Sequence, residues 1–152
     1  MVYSVDNIRA LSLKDNPVKI SYITDSRRRT KWRTFTLEQD VEVKLTNGIN
    51  LVIPKGFEWD LSSVPRIFSW ILLPYGNFLI AALIHDWLYQ NSELITLDWF
   101  AGRSKEARKF SDLEMLHWSR AMQHTRGWSF YNIDNQIRYK MVRWFGAGVW
   151  KR

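Results

Sequence analysis

The stretch DVEVKLTNGINLVIP (residues 40–54) sets Val41, Val43 and Leu45 against Glu42, Lys44 and Thr46 in strict alternation. A period of two is the pattern of a strand with one buried face. Asn47-Gly48 then offers two residues that tolerate positive φ, the strongest short-range hairpin signal, and residues 49–54 return as the partner strand. Working back, VKISYI (18–23) and WRTFTL (32–37) carry β-branched and aromatic residues in partial alternation, with the basic run RRRTKWR (27–33) largely in the exposed loop between them. An antiparallel meander over about residues 18–54 follows.

Working forward, the character changes after Gly56. GFEWDLSSVPR (56–66) is rich in turn formers and leads into IFSWILL (67–73). Ser62 or Ser63 can cap a helix over 62–72 whose first turn tolerates Pro65. Pro74, Tyr75, Gly76 and Asn77 break the chain, and a helix over 78–90 follows, apolar nearly all round and so buried at the centre of the helical half. A further helix is predicted over 104–123, with Ser104 as cap and Glu106 in its first turn. The last spans 131–145, with Ile133, Ile137, Met141, Trp144 and Phe145 as its apolar stripe and Asp134, Arg138, Lys140 and Arg143 mostly off it. Strands followed by three to four helices predict an α+β fold. At 152 residues without a composition break, the chain reads as one domain.

Composition narrows the chemistry. There are no cysteines, which excludes disulfides and thiolate metal sites and fits a reducing compartment. Residues 1–16 lack the apolar run of a signal peptide, and the longest apolar run, Phe78–Ile84, is too short to span a bilayer. The chain is therefore expected to be soluble or peripheral. The net charge of +7, the nine tryptophans and the basic tail (Arg126, Arg138, Lys140, Arg143, Lys151 and Arg152 against Asp134) suit an anionic membrane or envelope surface. Nucleic acid is a weaker expectation, because the 27–33 cluster accompanies no reading module.

LIHDWLY (83–89) places His85 beside Asp86 in the most apolar part of the chain. Burying such groups without partners is strongly unfavourable, so partners are expected. His85 and Tyr89 are four residues apart, on one helix face, and Asp86 is about 100° around from His85. On the next helix Asp112 heads a stripe of Met115, Leu116, Ser119 and Met122, which aims its carboxylate at the core and makes it a candidate partner for His85 or Tyr89. A carboxylate on Nδ1 would leave Nε2 as a base. Asp60, before the helices, is a further candidate, whereas His117 and His124 read as exposed or structural. His85 is the first histidine of the chain, which sets aside phosphohydrolases needing an upstream one; phosphate loops, zinc spacings and nucleophile elbows are absent.

GFEWDLSSVPR, AALIHDWLY, SDLEMLHWSRAM and YKMVRWFGAGVW, in that order between Val41 and Trp150, resemble an uncharacterised domain family of tailed bacteriophages and prophages. Leu61 and Ser111 stand where that family more often has Gly or Ala. The resemblance implies a phage origin, and with it a place in the host cytoplasm or a virion, but no established activity. HDWLY is also similar to the His-Asp-x-x-Tyr signature of phospholipase A2 enzymes. That similarity implies a calcium-assisted hydrolase of lipid or envelope esters. His85 would be the base, Asp86 (with Asp60) would hold calcium, and Tyr89 and Asp112 would support the histidine. Calcium would need six to eight oxygens, so carbonyls would complete the set. The alternative is a non-catalytic virion or tail component, or a host-directed binding protein, in which the same residues form a buried polar network and the partners are other phage structural proteins.

Overall fold

The computed structural model describes residues 2–5, 18–23, 34–60, 78–122, 131–148 and 150. Its strands are β1 (Val2–Ser4), β2 (Ile20–Ile23), β3 (Thr34–Leu37), β4 (Val41–Lys44), β5 (Asn50–Ile53) and β6 (Glu58–Asp60). The alternating stretch forms the β4–β5 hairpin, with Val41 opposite Ile53 and Val43 opposite Leu51. All four, with Leu45, are buried, while Lys44 and Val52 face outward. In the turn, the Gly48 N–H donates to the Leu45 carbonyl and the Ile49 N–H to Asn47 Oδ1. Gly48 has φ of 86°, but Asn47 is not left-handed, so one residue of the pair takes the positive φ rather than both.

The pairing departs from a meander. The strands form two three-stranded sheets, ordered β1-β4-β5 and β2-β3-β6. β3 does not pair with β4. It runs antiparallel to β2 on one side and β6 on the other, and β1 joins β4 in parallel. Only three residues separate β3 from β4, and Asp40, among them, accepts the Lys55 N–H through Oδ1. The Leu37 N–H bonds the Phe57 carbonyl and its own carbonyl accepts the Gly56 N–H, so β3 takes the chain beyond the hairpin as its neighbour. Phe35 lies opposite Trp59, with ring centroids 5.6 Å apart. Asp60, expected in a loop, is the last residue of β6.

The α+β division holds, with the helices following the strands. By packing, the chain divides into two compact units, residues 1–62 and 63–152. In the second, α1 spans Phe78–Gln90, α2 Ser104–Met122 and α3 Tyr131–Phe145. These match the predicted helices within a residue; the helix predicted over 62–72 falls outside the described residues. α1 is buried through Ile80–His85 and again at Leu88 and Tyr89, as an apolar helix must be. It continues, after Asn91, into a short helix at Ser92–Leu94 and a π-helical turn at Ile95–Trp99, which the sequence pattern did not suggest. Ala101 and Gly102, at φ of 49° and 83°, then reverse the chain, and Trp99 and Phe100 fold back onto Phe110 of α2.

Two local expectations are corrected. The Arg103 carbonyl accepts the N–H groups of Glu106 and Ala107, so Arg103 is the N-cap of α2 and Ser104 its first helical residue. On α3, among residues 136–145, Met141 and Val142 are buried, and Trp144 and Phe145 project outward. At this end of the helix the buried stripe is narrower than the pattern implied. Among the described residues, no helix is long and apolar enough to cross a membrane.

Candidate functional site

Three helices of the second unit converge on one carboxylate. Asp112 is fully buried, one turn before Met115 and Leu116 on the inner face of α2. Its Oδ1 accepts the Tyr89 hydroxyl at 2.6 Å and lies 3.1 Å from His85 Nε2. Oδ2 accepts Arg143 Nη1 from α3 at 2.9 Å. The i,i+4 spacing of His85 and Tyr89 on α1 stacks their rings, centroids 4.2 Å apart, so both reach the same oxygen. The predicted meeting of Asp112 with His85 and Tyr89 is therefore present.

The ring nitrogens are used the other way round from the expectation. Asp112 takes Nε2, and Nδ1 faces Asp86 Oδ1 at 3.5 Å. The reason is helical geometry: α2 packs on the face of α1 that carries Tyr89, whereas Asp86 is the neighbour of His85 along α1 itself. Burial would raise the Asp112 carboxyl, but bonds from His85, Tyr89 and Arg143 outweigh it and hold the group below the usual carboxylate range. Burial, reinforced by the Asp112 charge, pushes the Tyr89 phenol upward despite Arg108, so it stays a donor. For His85, burial disfavours the charged ring, yet the bonds to Asp112 and Asp86 prevail and the imidazole is raised above its ordinary 6.5.

These protonation states fix the tautomer. An ionised carboxylate only accepts, so Nε2 carries a proton and a neutral His85 has its lone pair at Nδ1. That lone pair then looks at another acceptor, Asp86. Two acceptors at 3.5 Å require a donor between or on them. Either Nδ1 is protonated, giving an imidazolium held by two acids, or one water molecule donates to both. The first state is a structural ion network; the second is a water poised beside a base.

Arg143, Arg108, Gly146 and Trp150 belong to this site and were not picked out from the sequence. The Arg108 guanidinium bonds the Arg143 and Val142 carbonyls at the end of α3, and its Nε lies 3.4 Å from the Tyr89 hydroxyl. The bond to Asp112 raises the Arg143 guanidinium above its ordinary value. Trp150 packs edge-on against Tyr89 at 4.9 Å and donates Nε1–H to Ser104 Oγ. At Gly146 a Cβ would come within 2.7 Å of the Tyr89 hydroxyl oxygen, so only glycine lets the chain pass there. One signal was available for a cation: a buried carboxylate with two donors still has lone pairs to satisfy. Which arginine would supply it depends on where the end of α3 lies.

The expected calcium site is only partly covered by the described residues. Both Asp112 oxygens already accept, one of them from a guanidinium whose charge repels a cation. That leaves the Asp86 carboxylate against a requirement of six to eight oxygens. The Asp60 side chain lies outside the described set. Among the described residues, no group of three or more His, Cys, Asp or Glu side chains is arranged to hold a metal ion. His117 is exposed, as expected, and His124 is not among the described residues.

Residues 35–132 match a protein family described as "Protein of unknown function (DUF1353)". The match takes in most of β3, the hairpin, His85 and Asp112. It begins before Val41 and stops at the start of α3, short of the Trp150 to which the resemblance had been drawn. Arg143 and Gly146 thus lie beyond it. Neither a curated protein nor a solved structure matches the chain.

Proposed function

This chain belongs to the DUF1353 family of proteins of unknown function, and from that premise we propose that it is a bacteriophage ester hydrolase in which His85 activates water through Nδ1. The observation that carries the reading is the Asp112 carboxylate on Nε2, 3.1 Å away, which leaves the Nδ1 lone pair toward Asp86. Tyr89 and Arg143 hold that carboxylate from its other sides. The phage assignment rests on the motif resemblance, and the ester on the similarity of HDWLY to the phospholipase A2 signature.

In this reading Nδ1 takes a proton from water while the oxygen adds to the ester carbonyl carbon. The tetrahedral adduct collapses, the bond to the alcohol oxygen breaks, and the Nδ1 proton passes to the departing alkoxide. Nε2 keeps its proton throughout, and Asp112 stabilises the transient imidazolium. Asp86 orients the water. No step is routed through calcium.

The test is hydrolysis of short-chain chromogenic esters and of phospholipid by the wild-type chain and by His85→Asn, with circular dichroism to confirm folding. Loss of a general base removes on the order of 10²–10⁴-fold in rate. No hydrolysis of any ester by the wild type would end the reading. The competing reading is a non-catalytic virion, tail or host-directed binding protein, favoured by the 1% exposure of His85 and by an acid at each ring nitrogen. There His85→Asn lowers the melting temperature and removes no activity, and mass spectrometry of purified virions finds the protein if it is a particle component.

A further inference from the structure

At the C-terminal end of α3, Trp144 is 72% exposed and Phe145 47%. Exposure at this level is unusual for an indole, whose area normally makes it an anchor. Trp144 follows exposed Lys140 by four residues, so the two share a helix face, opposite the one that buries Met141 and Val142. The first half of α2 meets this end of α3, because Arg108 bonds the Val142 and Arg143 carbonyls. On either side of Arg108, Lys105 and Lys109 are exposed. Of the acids in that half-helix, Glu106 is engaged by Arg103 at 2.9 Å, and Asp112 is buried against Arg143. Trp144 thus stands beside Lys140, at the end of α3 that the lysine-bearing half of α2 meets.

We infer that this end of the helical unit docks on an anionic lipid surface, with Trp144 and Phe145 entering the headgroup boundary and Lys140, Lys105 and Lys109 on the lipid phosphates. An indole suits that boundary, since its ring is apolar and its N–H remains hydrated. Lysines near an anionic leaflet add an attraction that salt screens. The partner is chosen by charge complementarity: a +7 chain with a projecting aromatic pair fits an anionic bilayer and not a neutral one. The inference deepens the hydrolase reading and rests on it for the substrate, a lipid ester. Arg143, which holds Asp112, directly precedes Trp144, so a surface seated there adjoins the proposed His85–Asp112 site.

The test is co-sedimentation of the full chain with vesicles of phosphatidylglycerol or phosphatidylcholine. Wild type is expected to partition at least tenfold more strongly onto phosphatidylglycerol, and added salt should weaken that binding. Trp144→Ala with Phe145→Ser should lose about tenfold while keeping its circular dichroism and its rate on a soluble short-chain ester. Equal or absent binding to the two lipids, or a double variant that binds like wild type, overturns the inference. So does a wild-type dimer that the double variant dissolves in the absence of vesicle binding, since the patch would then join two copies. Docking by the wild type without cleavage of any ester leaves the surface standing and removes the hydrolase. Cleavage of the soluble ester without docking does the reverse.

Discussion

Asp112→Asn keeps the size of the side chain and removes only its charge and symmetry. Three donors converge on the native carboxylate, from His85, Tyr89 and Arg143. An amide has one accepting end. If its oxygen faces His85 and Tyr89, its NH₂ meets the Arg143 guanidinium, donor against donor. If it turns round, the NH₂ meets Nε2 and the Tyr89 hydroxyl, and His85 must move its proton to Nδ1. Removing one member of a buried ion pair costs about 3–5 kcal/mol, a large part of the roughly 5–15 kcal/mol of a whole domain. The cost depends on pH with a definite sign. His85 is raised in the folded chain, so its share of stability is fully present below its ordinary 6.5 and fades as pH climbs through the raised value. Asp112 is lowered, so its share is present above its ordinary 3.8 and fades as pH falls through the depressed value. The gap between wild type and Asp112→Asn should therefore be widest at about pH 5–6 and narrow toward pH 9. Urea unfolding of both proteins across that range measures it. A gap under about 1 kcal/mol at pH 5.5, or one that widens toward pH 9, refutes the network as drawn.

Gly146→Ala should destabilise by about 1–3 kcal/mol through overpacking, because its Cβ would sit 2.7 Å from the Tyr89 oxygen; thermal unfolding checks it, and an unchanged melting temperature would show that the approach is not tight. Tyr89→Phe removes the 2.6 Å bond to Asp112 and should cost about 1.5–3 kcal/mol, as for a hydrogen bond to a charged group; it should do so without loss of helix by circular dichroism. Ester hydrolysis, if His85 is the base, should rise with pH through an apparent pKa above the ordinary histidine value of 6.5, since only the neutral ring accepts a proton. A rate that falls over that interval in a pH–rate profile would assign the base elsewhere.

Local pattern alone determined a good deal. The alternation at Val41, Val43 and Leu45 specified a strand and its buried face, because side-chain direction in an extended chain is set by parity. The apolar run from Phe78 specified a buried helix, and the spacing of His85 and Tyr89 placed both on one face of it. The position of Asp112 at the head of an apolar stripe foretold an inward carboxylate. All of these follow from periodicity, which needs no knowledge of neighbours.

Tertiary structure decided the rest. Strand order is a choice among long-range partners, and β3 took β6 rather than β4 because the Leu37 and Gly56–Phe57 backbone groups close that edge. The use of Nε2 rather than Nδ1 by Asp112 depends on which side α2 packs, and no spacing within α1 reveals that. Arg143 lay on a face read as outward, and only the angle at which α3 meets α2 turned it toward Asp112 and left Trp144 in water. Periodicity states which face of an element is apolar; which charged residue completes a buried group is set by where the faces meet.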